Sequence, residues 1–522
     1  MSITRKTRNR VGEAASTLEW LITAFALAFV FRAFVMEAFR IPTGSMADTL
    51  LGAHYRLCCT QCGYKYRYGV SGFKSAAAAQ GRFAGREYAR CPSCGYLQPV
   101  DETTPSSGDR ILVLKCIYQF VEPMQWDVVV FKNPLDPTEN YIKRLVGRPG
   151  ETVEIIDGDV YIDGQISRKP PKVQQELWMP IYDNDYQPAR PEEPAFNRHT
   201  WQRPLRNAEG SKWMIEEDSP TVFRLAGAAN ELNWLVYDTT RGNDFRATYA
   251  YDETTDYRFM PYCSDLMVRF WVSSSEPKGQ VGVSLSKYGI AYTGQVDFAG
   301  RMTISRLADG NPSSAAAVSP LPLRRVDEQE LASREIGALP ADKPFDAAQG
   351  RPTMFRFANV DHKLVLEFGD EKLDYDLGRG PNDAGDRKTG IEPQASIFGA
   401  GKITVSHLAL FRDIHYTASN PSSSEPGRAT EGNPLVLEKD QFFMLGDNSP
   451  RSEDGRWWAN PGKGNNGGIY PKGIVPREYL VGKAMFVYWP AGFKPFTGFP
   501  LALIPNVGEL RFIYGGSDTG EL

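Results

Sequence analysis

A mainly-β protein behind one N-terminal apolar helix is the fold class this sequence predicts, and three observations predict it. A basic N-terminus runs into an apolar stretch. Short β-prone segments separated by turn residues follow it, over residues 37–53 and 105–165, and they return over 434–488. Between them, the middle half of the chain is rich in Trp and Tyr, with alternating runs, polar turns and little helix signal. At 522 residues, and about 150 residues per domain, the length suggests three or four domains. Hydrophobic residues at 42% and charged residues at 23% are ordinary for a chain able to bury real cores. With 59 Lys and Arg against 63 Asp and Glu, for a net charge of −4, there is no strongly basic domain of the kind a dedicated nucleic-acid binder carries. Seven cysteines are too few and too unevenly placed for a disulfide-rich scaffold.

Residues 1–12 carry Arg5, Lys6, Arg8 and Arg10 and no acid, and Trp20 to Phe31 is apolar except for Thr23. The stretch Leu18–Val35 reaches the roughly 20 residues of a spanning helix if Arg32 snorkels toward the far interface. A cleaved signal peptide, a buried core helix and a permanent anchor are the three readings. Phe31-Arg-Ala-Phe-Val-Met-Glu-Ala-Phe-Arg40 is a poor cleavage site for the first of them. As an anchor, the segment leaves the basic end in the cytoplasm and everything after residue 36 outside.

In the next block, Trp126-Asp-Val-Val-Val-Phe131 is strongly β-prone and ends at Asn133-Pro134. Thr152–Ile156 and Val160–Ile162 flank Asp157-Gly158, a hairpin signal. Residues 54–100 interrupt this block with paired cysteines and a helix-prone Ala76–Ala79. In the middle, Leu266, Val268, Phe270 and Val272 share one face of an alternating run, and Lys363–Phe368 and Ile403–Leu408 are similar. Asn311–Ser319 and Ser419–Gly427 read as loops or linkers. There is no internal repeat of fixed period.

Three segments offer chemistry. Ile41-Pro-Thr-Gly-Ser45-Met follows the apolar stretch directly, and a Gly before a Ser lets backbone approach a bound carbonyl closely. Tyr141-Ile-Lys143-Arg-Leu-Val-Gly-Arg-Pro-Gly150 sets a lysine in a predicted strand. Desolvation there would lower the ammonium pKa toward neutrality and let the amine act as a base. Phe442-Phe-Met-Leu-Gly-Asp-Asn448 runs into a polar turn, Ser449-Pro-Arg-Ser-Glu-Asp-Gly-Arg456. Taken singly, each reads as an ordinary loop, hairpin or turn.

In this order behind an apolar anchor, and with Trp126–Lys132 between the first two and Val475–Ala484 after the third, these segments resemble the bacterial type I signal peptidases. That family consists of membrane-anchored Ser/Lys endopeptidases. The resemblance implies Ser45 as nucleophile and Lys143 as general base, with no cofactor for catalysis. It places Thr43 as an oxyanion donor beside the Ser45 N–H, and Ser452 as the hydroxyl that orients the lysine. Arg144, Asp454 and Arg456 match positions of a supporting ion-pair cluster. Two departures stand out: Ala47-Asp48 replaces the usual residue and Pro after Ser-Met, and Ser449-Pro450 replaces the usual Arg-Asp. None of the five histidines, His54, His199, His362, His407 and His415, lies in a motif that suits a Ser/His/Asp triad.

Cys59-Thr-Gln-Cys62-Gly-Tyr and Cys91-Pro-Ser-Cys94-Gly-Tyr are near-copies separated by a 28-residue spacer. Two such knuckles supply tetrahedral Zn ligation and resemble zinc-ribbon modules; disulfides in an oxidising compartment are the rival reading. Cys58 is a spare ligand or a bystander, and Cys116 and Cys263 are expected to be buried small residues. The middle block weakly resembles the concanavalin-like sandwich of laminin-G and lectin-type domains, which is a poor guide to function.

The predicted organisation is nested. A cytoplasmic basic segment (1–16) and a transmembrane anchor (17–36) precede a catalytic core formed by 37–53, 101–165 and 434–490. That core is split by a zinc-ribbon-like insert (54–100) and a β-sandwich insert (166–433), and a tail (491–522) follows. The expected partners are signal peptides of secretory pre-proteins and membrane lipids, with no nucleic acid, and a carbohydrate or envelope partner is open to the sandwich. The expected place is the bacterial cytoplasmic membrane, with the catalytic domain on the extracytoplasmic side. A non-catalytic, membrane-tethered homologue that binds envelope glycans is the alternative, and a self-cleaving repressor is disfavoured by the anchor. Whether Ala491–Pro505 touches the bilayer is open.

Overall fold

A computed structural model of the chain describes residues 3–70, 88–100, 105–216, 219–252, 260–307, 328–336, 352–378, 390–418, 426–465, 467–492 and 506–516. Ala76–Ala79 and Asn311–Ser319, most of Ser419–Gly427 and most of Ala491–Pro505 lie outside these residues. A helix runs from Ile3 to Val30 and closes with a π-helical turn, Phe31–Val35. Within it, the 21 residues Ala15–Val35 are long and apolar enough to cross a membrane, and none of that stretch is buried. At 1.5 Å per residue it spans about 31 Å, close to the thickness of a hydrocarbon core. Leu18, Trp20, Ile22, Phe25 and Phe29 all point away from the protein, which excludes a buried core helix.

Strand begins at Met36. One 8-stranded sheet takes, in spatial order, Met36–Arg40, Arg110–Leu114, Leu480–Trp489, Val128–Lys132, Asn140–Gly147, Gln441–Leu445 and Ile474–Pro476, with Arg511–Phe512 paired to Leu480–Trp489. Segments on either side of the middle block are therefore neighbours: Leu445 pairs with Arg144. Strands such as Val128–Phe131 are buried throughout, as a sheet covered on both faces requires. Thr152–Ile156 and Asp159–Ile162 form the expected hairpin. Its turn residues Asp157 and Gly158 have φ of 48° and 87°, which is the left-handed backbone a two-residue hairpin demands. A side chain at Gly158 would also collide with the His415 ring.

The middle block is dominated by a 13-stranded sheet organised on two long strands, Leu266–Lys287 and Ala395–Arg412. They pair along their length with register shifts, so the sheet bends over a single apolar core. Leu266, Val268, Phe270 and Val272 all enter that core, with the Phe270 and Phe355 rings stacked at 4.8 Å. Predicted strands Lys363–Phe368 and Ile403–Leu408 are present. The apolar core shared by the Asp157-Gly158 hairpin and the 8-stranded sheet reaches past residue 166 on both sides of the insertion. The short helix Pro171–Leu177 buries Val173 and Leu177 against Val153 and Ile155, and Ile414 and Tyr416 join the same cluster.

Charge also joins the two blocks. Lys287, from the large sheet, pairs with Asp265 and, at 3.4 Å, with Asp159 of the core hairpin. Lys169 pairs with Asp361 and, at 2.9 Å, with Asp413. Asp159, Asp265 and Asp361 approach one another closely enough to hold a cation; Lys287 and Lys169 already bring two positive charges to them, and burial pushes the Asp265 carboxyl up to about 8, where it keeps its proton at neutral pH. Breaking such a buried pair strands an uncompensated charge, at a cost of about 3–5 kcal/mol. Lys287→Met is therefore expected to lower unfolding stability by about that amount, read as a shifted denaturant midpoint, whereas a change at the exposed Lys212–Glu231 pair moves it by less than about 1 kcal/mol.

Candidate active site

Ser45 and Lys143 meet. The strand Met36–Arg40 ends with Ile41 N–H donating to Asp109 O at 2.8 Å, and the chain then turns tightly through Gly44–Thr49. Gly44 O accepts from Ala47 N at 3.0 Å. Gly44 is required by contact: a Cβ there would lie 2.2 Å from the Tyr251 ring. Lys143 lies across from Val129 in the neighbouring strand pair. Lys143 Nζ stands 2.6 Å from Ser45 Oγ, within reach of proton transfer. The lysine is only 4% exposed. Burial pushes its ammonium down to about 8, against the pull of Asp454, Asp447 and Glu453. Thr43 Oγ1 lies 3.5 Å from Ser45 Oγ, on the exposed side. No histidine hydrogen-bonds Ser45 among the described residues.

The charged residues expected as one cluster form two separate pairs. Arg456 binds Asp454 with two nitrogens, at 2.9 and 2.8 Å, and Asp454 Oδ2 also accepts from Gly446 N at 3.0 Å. Arg144 binds Asp447 the same way, at 2.8 and 2.7 Å, and donates to Trp126 O at 2.9 Å. All four side chains are fully buried. Ser452 lies against Gly446, but its buried hydroxyl has no hydrogen-bond partner among the described residues, Lys143 included. The altered Ser449-Pro450 turn is built in: Ser449 Oγ accepts from Arg456 at 2.7 Å and from Thr417 N at 2.8 Å.

Four contributors escaped the sequence reading. Asp447 and Asn448 stood in a quoted motif without a role; the pairing of Leu445 with Arg144 is what brings Asp447 to the guanidinium. Asn448 N donates to Ser45 O at 3.1 Å, and its side-chain amide donates to Gly44 O at 3.1 Å and Asp252 Oδ1 at 3.0 Å. Tyr249 and Asp252 come from the middle block, where nothing in the sequence singles them out.

Cys59, Cys62, Cys91 and Cys94 converge, with all four sulfurs within 4.8 Å of one another. Cys59–Cys94 and Cys62–Cys91 are each 3.7 Å apart, and every cysteine is free. A tetrahedron with Zn–S bonds of about 2.3 Å has an edge of about 3.8 Å, so the quartet fits that ion. The knuckle backbones help: Gly63 and Gly95 adopt φ of 76° and 77°, and each donates its N–H back to the first cysteine of its pair, at 2.8 and 3.0 Å. Cys58 is exposed and turned to Gly63 O, which makes it the bystander. Cys263 is buried as expected, but Cys116 is only half-buried, at the edge of a surface turn.

Residues 99–214 and 408–489 match the family described as Signal peptidase, peptidase S26. Signal peptidase I of Rickettsia akari (strain Hartford) is 32% identical over 169 residues, which are 32% of this chain and 50% of that protein. Signal peptidase I of Rickettsia prowazekii (strain Madrid E) is 33% identical over 144 residues, 27% of this chain and 41% of that one. The chain thus spans about half the length of the curated relatives it matches. Among solved structures, sheep galectin-11 aligns with 29% of the chain and 94% of its own at 10% identity, with a TM-score of 0.17. The lumenal domain of VIP36 aligns with 44% and 91% at 10% identity, with a TM-score of 0.23; likenesses this slight assign no fold.

The two buried arginine pairs carry a stability test. Asp447→Ala leaves Arg144 charged and unpaired and is expected to cost about 3–5 kcal/mol. The double change Arg144→Met with Asp447→Leu removes both charges and should cost clearly less, measured by denaturant unfolding.

Lys143, the Asp447-Asn448 turn and the strands that carry them all fall within the segments of this chain that match the family described as Signal peptidase, peptidase S26.

Proposed function

We propose that this protein is a membrane-anchored serine endopeptidase that removes N-terminal signal peptides from exported pre-proteins, with Ser45 as nucleophile and Lys143 as general base. The observation that supports it best is the 2.6 Å approach of Lys143 Nζ to Ser45 Oγ with the lysine buried. A lysine whose ammonium sits near 8 is neutral in part of the molecules at neutral pH, so its lone pair is available. The Ser45 proton passes to Lys143 Nζ as Oγ bonds to the scissile carbonyl carbon. The resulting oxyanion takes hydrogen bonds from the Ser45 N–H and the Thr43 hydroxyl. Lys143 then returns the proton to the leaving amine, the C–N bond breaks, and an ester on Ser45 remains. The mature protein has left with that amine, and a water deprotonated by Lys143 then hydrolyses the ester and frees the signal peptide.

The exposed helix Ala15–Val35 supplies the anchor, with the catalytic core on the extracytoplasmic side. The substrate binds extended beside the segment leading into Ser45 and the strand carrying Lys143, which suits the small residues of signal-peptide cleavage sites. Ser452, Asp454, Arg456 and Arg144 act as structural support for this site. The four cysteines hold a structural Zn that takes no part in the chemistry. The insertion that carries the large sheet braces the core through Tyr249, which donates to Asp447 O, and Tyr251, which donates to Ala53 O.

Ser45→Ala and Lys143→Ala are each expected to abolish processing of a pre-protein by the detergent-solubilised enzyme while the melting temperature holds. Retained cleavage by either variant would sink the dyad. Below pH 8 the lysine is increasingly protonated and cannot accept the serine proton. The rate kcat/KM therefore rises with pH through an apparent pKa of about 8, the value burial gives Lys143.

Elemental analysis of protein purified without added metal tests the cysteine site. About one Zn per chain is expected, lost together with several degrees of melting temperature in Cys91→Ser. A metal-free protein whose cysteines resist thiol reagents until reduced would favour disulfides instead.

A further inference from the structure

Among the described residues, the large insertion sends the segment Thr248–Asp252, a short strap, into the loops around Ser45. Its fastening is thorough. Arg412 donates to Thr248 O and lies over the Tyr249 ring at 4.9 Å. Tyr249 OH donates to Asp447 O at 3.1 Å, and Tyr251 OH to Ala53 O at 3.1 Å. Gly69 N, from the cysteine module, donates to Tyr251 O at 2.7 Å. The Tyr251 ring covers the face of Gly44 that lacks a side chain. Asp252 Oδ1 accepts from Asn448 Nδ2, whose second hydrogen goes to Gly44 O.

We propose that Asp252 is a positioning residue for the Ser45 loop: it orients the Asn448 amide, which in turn fixes the Gly44–Ser45 peptide. This rests on the reading of Ser45 as nucleophile and its N–H as an oxyanion donor. A trans peptide is planar, so the Gly44 C=O and the Ser45 N–H point in opposite directions from one rigid unit. Whatever holds the carbonyl aims the N–H. Asn448 grips this unit through its amide side chain on Gly44 O, and its backbone N–H holds the next peptide through Ser45 O. The side-chain grip needs the NH2 rather than the oxygen of Asn448 turned toward Gly44. A flipped amide would set its oxygen against both the Gly44 carbonyl and the Asp252 carboxyl, so Asp252 selects the productive orientation. Burial raises the Asp252 carboxyl to about 7, with Arg451 drawing it down and Asp48 pushing it up. Either protonation state keeps an acceptor oxygen for Asn448, so an amide at position 252 should serve as well.

The test uses full-length, detergent-solubilised protein and a pre-protein that the wild type cleaves. Asp252→Ala is expected to lower kcat by about 10–100-fold, with KM within about 2-fold, because an oxyanion donor acts in the transition state. Asp252→Asn should stay within about 3-fold of wild type. A melting curve on each variant checks folding, and Asp252→Ser takes the place of Asp252→Ala should the latter not fold. Wild-type kcat in Asp252→Ala or Asp252→Ser would overturn the inference, as would an Asp252→Asn enzyme as poor as the alanine variant. Ser45→Ala, run alongside, separates the two ideas: its inactivity leaves the dyad standing whatever Asp252 does. Continued cleavage by Ser45→Ala would remove the dyad and this inference with it.

Discussion

Lys143 sits where water is scarce, which pushes its ammonium down to about 8, and the architecture around it is best understood from that burial. Its strand alternates faces, so Lys143 shares one face with Leu145 and with Val129 opposite, and Arg144 takes the other with Val146 and Val128. Both faces are covered, and both basic groups are buried. The two residues meet burial differently. An ammonium can go neutral when desolvated, whereas a guanidinium stays charged. Lys143 is accordingly left with a hydroxyl as its near partner, while Arg144 receives a fork-on-fork carboxylate from Asp447. The same turn supplies Asn448, so the group that neutralises one face also steadies the serine loop on the other.

Much of this was legible in the sequence. The apolar helix, the Asp157-Gly158 hairpin, the alternating run from Leu266 to Val272 and the two cysteine knuckles are local signals, each read from a few adjacent residues. Ser45 and Lys143 were legible by motif order, although they are 98 residues apart. What stayed hidden was set by long-range pairing. Asp447 meets Arg144 because Gln441–Leu445 pairs with Asn140–Gly147 across almost 300 intervening residues. Nothing near Asp252 in the chain announces that a strap from the insertion reaches Asn448. The domain boundary at 166 was blurred for a related reason: the helix Pro171–Leu177 is apolar toward the peptidase core, yet lies on the insertion side of the hairpin.

Ser452 shows the limit of reasoning by position. Its place in the turn matched an orienting hydroxyl, but the polar groups around it are already matched with one another. Asp454 takes Gly446 N and Arg456, and Ser449 takes Arg456 and Thr417. Replacement of the usual Arg-Asp by Ser449-Pro450 brought in a short hydroxyl and a rigid φ. The hydroxyl bridges Arg456 and Thr417, at the returning end of the insertion.

The two insertions enter at points that matter to the serine loop. The cysteine module begins at His54, just past the turn that carries Ser45, and the large sheet returns to the core at Asp413–Thr417, beside Ser449. Long insertions cost little in loop-closure entropy, growing only with the logarithm of length, so their presence alone asks for no explanation. Their contacts do. Gly69 of the module holds Tyr251 of the sheet, and Tyr251 covers Gly44. A loop between Ile41 and Gly52 that would otherwise be ordered by a few backbone bonds is thereby clamped from both sides by elements with cores of their own. Ordering a loop in advance lowers the entropy that catalysis must find at the transition state. In this chain that ordering is shared between the Asp447-Asn448 turn and surfaces that the insertions add.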